Sequence, residues 1–408
     1  MRICLLTGGY PYRRDALGGW CRALVEGLSG TTFDLLTVSD RELPGPPAYL
    51  LPGNVATSRP VTLARDDRHR GDRFDPATAA AWLLCRGLLG GPDQTGEMFT
   101  AGLTRLAELA RPGESPLAGV PLADVLVDAW RAGADQPPLG LRDARTGATL
   151  LRHATRALGV DAPESDLVHC AGGTTPLLAA LAAQWRTGVP LLLTEAQPPV
   201  PRRRPAEESQ PAAVRTILRL FRRAVTRTGY AEAGLIAPLS EHHRRRALEH
   251  GASPGRLVPV PAGADPADFP AAEPAGDVVV HVPEPGDPPT RLAETMMSGR
   301  AVVAVDVGPV AETLGDAGVL VPENDPVALA TACRQLMHGP QRRRELGEAA
   351  RRRALACFTT DRVLRAYDAL YADLAGPAVA TAFELQLAGP APRVALPTTL
   401  RWLTRSTP

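Results

Sequence analysis

The chain has 408 residues and a mass of 43.2 kDa, enough for two domains at about 100 to 200 residues each. Hydrophobic residues make up 44% and charged residues 22%, which excludes wholesale disorder, and the formal charge of +1 gives no global reason to bind nucleic acid. No apolar run approaches the roughly 18 to 20 residues of a membrane span, and Met1 to Gly8 is too short, and too soon followed by Arg13 and Arg14, for a signal peptide, so a cytoplasmic protein is expected.

Arg2 to Thr7 is an apolar run closed by Gly8-Gly9, the pattern of a buried strand. A loop over Gly8 to Gly19 follows, then Trp20, Leu24 and Leu28 at helical spacing, then a strand over Phe33 to Val38. Strand, glycine loop, helix and strand open a doubly wound α/β domain. From 40 to 160, Pro- and Gly-rich stretches (44–61, 112–121, 133–148) separate helical periodicity near 77–90, 97–111, 121–132 and 149–158, which reads as a helical insertion. The α/β pattern returns with a strand at Asp166 to Cys170, a helix over Pro176 to Arg186 and a strand at Val189 to Thr194.

Between Arg202 and Arg246, 11 Arg stand against four acids, a local net of +7. Val214, Ile217, Leu218, Phe221 and Val225 form one stripe, with Arg215, Arg219, Arg222, Arg223 and Arg227 mostly elsewhere. The basic helix 211–229 is either a surface helix docked on the sheet or a site for an anionic membrane surface or an acidic protein partner. Leu235 to Leu239 and Leu257 to Val260 read as short strands.

A Pro/Ala-rich link over Pro266 to Gly276 leads to strands at Val278–Val282, Ala301–Val307 and Val319–Val321, and to a helix over Thr290–Ser298. Asp325 is a good N-cap with Pro326 at the first helical position, and helices are expected at Gln341–Cys357 and Thr360–Leu374. The division is 1–265 as a Rossmann-like unit, 266–375 as a shortened second one, and a tail over 376–408 with one strand-like alternation at Phe383–Leu387.

All 45 basic residues are Arg. The absence of Lys removes Schiff-base chemistry and the lysine of a P-loop. Cys4, Cys21, Cys85, Cys170, Cys333 and Cys357 are scattered without a CxxC pair, as expected of reduced thiols and not of a disulfide framework or a zinc site.

Four ordered segments resemble the family-4 retaining glycosyltransferases of the GT-B fold, closest to the Pel-type exopolysaccharide branch linked to UDP-glucose. They are Thr7-Gly8-Gly9-Tyr10-Pro11-Tyr12 through Gly18-Gly19-Trp20; Leu167-Val168-His169 with Pro190 to Glu195; Arg244 to Gly251 with Arg256 to Asp265; and Leu292-Ala293-Glu294-Thr295-Met296-Met297-Ser298-Gly299 with Ala301 to Gly308 and Glu312. The resemblance implies a two-domain α/β protein that binds a nucleoside diphosphate sugar. It implies that Gly18, Gly19, Thr290, Glu294, Gly308 and Glu312 bind the donor, with Glu294 accepting from the ribose hydroxyls. The glycines would let backbone approach the phosphates. No DxD motif is present, and no metal or other cofactor is expected.

Three departures bear on activity. Counting back eight positions from Glu294, where the family has a first carboxylate, reaches Gly286, with Glu284 and Asp287 as substitutes close by. Where the family often has His beside the reacting sugar, the chain has Ala196, leaving Glu195 and His169 as the catalytic candidates. The βα units that open the family's second domain, with a cationic phosphate clamp, are replaced by the link Pro266 to Gly276. Two functions follow as expectations: transfer of a UDP-glucose-like sugar with retention to a polysaccharide or small-molecule acceptor, or a catalytically inactive relative that binds a partner in a polysaccharide-synthesis complex.

Overall fold

A computed structural model describes residues 1–63, 76–89, 95–133, 137–196, 209–270, 278–283 and 289–376. The chain folds as α/β with two parallel sheets. The first comprises β1 (Arg2–Thr7), β2 (Thr32–Ser39), β3 (Val55–Thr62), β4 (Leu167–Ala171), β5 (Leu191–Glu195) and β6 (Leu235–Pro238). Its order is β3-β2-β1-β4-β5-β6, a doubly wound arrangement with its strand ends grouped at one edge of the domain. Parallel sheets are covered on both faces, and β1 shows the consequence. Cys4 and Leu6 face one core with α2 (Pro76–Leu89), α3 (Thr95–Leu109), α4 (Leu122–Arg131), α5 (Leu141–Thr155), α6 (Thr174–Thr187) and α7 (Ala212–Glu232). Ile3 and Leu5 face another with α1 (Ala16–Gly27).

Four residues of the basic helix's expected stripe, Val214, Ile217, Phe221 and Val225, are buried, whereas the fifth, Leu218, is half-buried. The structure corrects four local expectations. Residues 55–62, inside a stretch read as a Pro/Gly separator, form β3; an edge strand tolerates Pro60 because one row of its backbone groups needs no partner. The helix expected at 149–158 starts at Leu141, behind Gly140, and ends in a 3-10 turn over Arg156–Gly159. Gly147 hid it from a propensity reading, but its missing Cβ is what lets Ile217 pack there. Gly18 and Gly19, expected in the loop, lie in the first turn of α1. Leu257 to Val260 makes no regular strand: Pro259 and Pro261 have no N–H, and only the N–H groups of Val258 and Val260 reach Ile236 and Pro238.

In the second unit β7 (Val278–His281), β8 (Ala301–Val305) and β9 (Val319–Val321) form a three-stranded sheet in that order. After α8 (Glu241–Glu249) of the first unit come α9 (Thr290–Met297), α10 (Val310–Leu314), α11 (Pro326–His338) and α12 (Pro340–Cys357). The expected cap of α11 is present, Asp325 Oδ1 accepting from Ala328 N at 2.8 Å. Strand β7 is an edge of its sheet, and Val280 and Val282 are 43% and 63% exposed. The Phe383–Leu387 alternation, proposed to cover such an edge, lies outside the described residues.

Two joints fix the units to each other. Ala264 bridges Thr359, and from there α13 (Thr360–Ala375) returns to the first unit. On sequence this helix counted with the second unit, yet Val363, Tyr367, Leu370 and Tyr371 belong to the first unit's core. Tyr371 Oη and Thr194 Oγ1 lie 2.7 Å from the two ring nitrogens of His169, and Tyr367 Oη lies 2.8 Å from Thr194 Oγ1. Trp20 meets His169 and Tyr367 edge-on. The second joint is Glu312 on α10, whose Oε2 accepts from the backbone N–H of His242 at 2.8 Å, at the N-terminus of α8. Arg353 supports it from behind by donating to the carbonyls of Glu312 and Thr313.

Burial pushes His169 down to about 3 and, with His242 and Arg246 nearby, His243 to about 4. Both titrate near 6.5 when unfolded, so in the interval between, the unfolded chain binds protons the folded chain refuses. Stability is therefore greatest above pH 6.5 and falls on acidification down to pH 3, by at most about 1.4 kcal/mol per pH unit for each histidine. Urea unfolding against pH checks this, and His169→Gln should flatten the acid limb. Glu312→Ala should cost about 0.5 to 2 kcal/mol through loss of a helix-terminal acceptor and speed amide exchange in the first turn of α8.

Candidate functional site

Four of the six expected donor-binding residues lie on two helices that touch, Gly18 and Gly19 on α1 of the first unit and Thr290 and Glu294 on α9 of the second. At the head of α1, Asp15 has extended backbone and its Oδ1 accepts from Gly18 N at 2.7 Å, an N-cap that uses one of the helix's free donors. A Cβ on Gly18 would stand 2.7 Å from the Arg13 carbonyl oxygen, so glycine is required for this entry to the helix. Gly19 is exposed and a Cβ there would meet nothing within 4 Å. Tyr49, tilted against Tyr10 with ring centroids 5.6 Å apart and under Arg14, walls this end of the helix.

Across from it, Thr290 begins α9, buried, with a hydroxyl that has no hydrogen-bond partner among the described residues. One turn on, Glu294 is half-buried. Burial raises its carboxyl above the usual range, Arg291 opposes the shift and Asp268 adds to it. Arg22 of α1 is paired with Glu26 at 2.8 Å and feels Asp268 more weakly, so Asp268 lies between Arg22 on one unit and Glu294 on the other. A desolvated carboxylate on a rigid helix is poised to accept hydrogen bonds from hydroxyl groups.

The other expected residues are placed apart or spent. Gly308 is exposed at a φ of 63°, a left-handed position suited to glycine, after β8. Glu312, raised by burial, is held by the Ser240 hydroxyl, the N–H groups of His242 and Glu241, and Arg245; its carboxylate is engaged in capping α8. His169 has no exposed surface and both ring nitrogens are occupied, so it is corrected from a catalytic candidate to a structural residue. Glu195 is 8% exposed at the end of β5 and accepts from Tyr230 Oη at 2.7 Å; this pairing and burial drive the Tyr230 hydroxyl's pKa up. Ala196, next in the chain, is buried and carries no group for chemistry. Glu284, Gly286 and Asp287 lie outside the described residues.

Sequence reasoning missed Asp15, Tyr49, Tyr230 and Asp268. Asp15 was legible, as an Asp directly before an apolar helical pattern is an N-cap signal. The other three become site residues only through contacts across the fold. Among the described residues, no group of three or more His, Cys, Asp or Glu could hold a metal ion, and no helix is long and apolar enough to cross a membrane.

No curated protein matches the chain. Among solved structures, sucrose-phosphate synthase from Thermosynechococcus elongatus superposes with a TM-score of 0.52 at 13% identity, covering 92% of this chain and 99% of that one. HepE from Anabaena, in complex with UDP and glucose, does so with a TM-score of 0.52 at 11% identity, covering 92% and 100%. At these identities the likeness concerns the fold, and it fits the two-domain, Rossmann-like GT-B arrangement. Residues 254–339, which hold Thr290, Glu294, Gly308 and Glu312, match the family model described as Glycosyl transferases group 1. Residues 1–255 match a second model, and the chain belongs to that family, Domain of unknown function (DUF3492).

Proposed function

We propose that the chain transfers a sugar from a nucleoside diphosphate sugar, UDP-glucose-like, to a polysaccharide or small-molecule acceptor with retention of configuration. The observation that carries this reading is Glu294, a half-buried carboxylate on the helix that starts at the unpartnered Thr290 hydroxyl, inside the segment that matches Glycosyl transferases group 1. Its carboxylate is partly desolvated, and ribose hydroxyls would offset that on binding. The first turn of α9 supplies backbone donors for a departing diphosphate. Arg291 and Arg22, within electrostatic reach of Glu294 and Asp268 respectively, supply cations where the family's clamp is missing. The HepE structure with UDP and glucose supports the choice of nucleotide, and the resemblance to the Pel-type branch supports a polysaccharide acceptor.

A second reading is favoured by specific observations: an inactive relative that retains the cleft and serves in a polysaccharide-synthesis complex. His169 is sealed, Ala196 offers no functional group, Asp15 places a carboxylate at the head of α1, and the second sheet has three strands. Loss of a single charge-stabilising donor costs about 100- to 1,000-fold in rate, so each missing group weighs on transfer more than on binding.

Calorimetric titration with UDP and UDP-glucose, with GDP as the comparison, separates the outcomes. A dissociation constant in the micromolar range, about −8 kcal/mol, is expected for the uridine ligands. Glu294→Gln should weaken binding at least tenfold while raising the melting temperature of the free protein, because it removes a desolvated charge. Absence of heat at millimolar ligand overturns both the donor assignment and the transfer reading, whereas binding without turnover leaves the inactive relative.

A further inference from the structure

The helical layer built on α2, α4, α5 and α7 carries a charged feature that the proposed reaction does not use. Along α7, Arg219, Arg223 and Arg227 are exposed at i, i+4 and i+8, one row about 12 Å long. The apolar side of the helix is fully committed to the core, packed on α5, α6, α2 and α3. None of the three arginines forms an ion pair among the described residues, although the neighbouring helices carry Glu97, Glu108, Asp124 and Asp143. The one acid on α7, Glu232, is turned to Trp185, accepting from its ring nitrogen at 3.1 Å.

The same layer exposes two large apolar side chains. Trp82 on α2 is 45% exposed with the Arg86 guanidinium 5.2 Å from its ring centroid, and Leu141 at the start of α5 is 55% exposed. We infer that this helical layer is a peripheral docking surface for an anionic phospholipid bilayer. The guanidinium forks match phosphate oxygens as they match carboxylates, so the choice of lipid over an acidic polypeptide rests on the apolar side chains of the same layer. The cations sit in a helical layer with an exposed tryptophan, a side chain that settles at headgroup depth with its ring in the apolar boundary and its N–H in water. The contact is electrostatic with shallow anchoring and needs no spanning segment. It concerns a face other than the α1–α9 cleft and stands whether or not the transfer reading does.

Vesicle co-sedimentation of the full chain tests it, using phosphatidylcholine vesicles with and without phosphatidylglycerol at low ionic strength. Partitioning should require phosphatidylglycerol and reverse on adding salt beyond about 0.1 M. The triple substitution Arg219→Gln, Arg223→Gln, Arg227→Gln should lower the partition coefficient on the order of 100-fold, and Trp82→Ala several-fold. Circular dichroism and thermal unfolding of each variant confirm that these exposed changes leave the fold intact. Equal partitioning onto neutral vesicles, or unchanged partitioning by the triple variant, overturns the inference. So does capture by polyglutamate without binding to acidic vesicles, which would assign the row to an acidic protein instead.

Discussion

The return of the last described helix to the first unit rests on a neutral histidine in the first sheet. His169 stands on β4, wholly buried, and each of its ring nitrogens meets a hydroxyl, one from Thr194 on β5 and one from Tyr371 on the returning α13. An uncharged imidazole offers one donor and one acceptor, and hydroxyl groups can serve either, so the arrangement satisfies itself without a charge. Removing a partner would leave a buried polar atom unpaired, which is the costly half of the hydrogen-bond balance. The network therefore fixes α13 against the sheet, and with it the path by which the chain leaves the second unit.

The second joint works by a different force. The free N–H groups at the start of a helix attract negative charge, and Glu312 brings a carboxylate from the second unit to the start of α8. Asp15 does the same locally for α1. Both helices thus have their N-terminal donors partly filled by the chain's own carboxylates, while the start of α9 keeps the Thr290 hydroxyl unpartnered among the described residues. The start of α9 has no side-chain cap, and it is followed one turn later by the partly desolvated Glu294.

The small second sheet explains why the joints matter. Three strands with exposed valines on an edge bury little apolar surface on their own. The unit draws support from α12, whose Arg351 donates to the carbonyls of Phe269 and Met297, and from the return of α13 to the larger domain. A small unit of this kind keeps its helices in place through its neighbour, and α9 packs on α1 of the first unit.

The parallel α/β architecture was legible from short apolar runs, because strands buried on both faces are largely apolar, as Ile3–Leu6 and, His169 apart, Leu167–Ala171 are. So was the core face of α7, since the 3.6-residue period fixes which side chains share a side, and so was the Asp325 cap, which is a local matter. Strand β3 and the start of α5 were not, because an edge strand needs no alternation and Gly147 serves packing against Ile217, not propensity. The fates of His169 and Glu312 were beyond any local reading. Each carries chemistry on its own, and only contacts between residues 202 and 70 positions apart along the chain turn one into a core pin and the other into a cap. Sequence by itself determined which segments could be buried and which helices could begin where they do. Tertiary structure decided which polar groups were used up in holding the units together and which remained available, because a side chain's availability depends on neighbours that the chain brings to it only on folding.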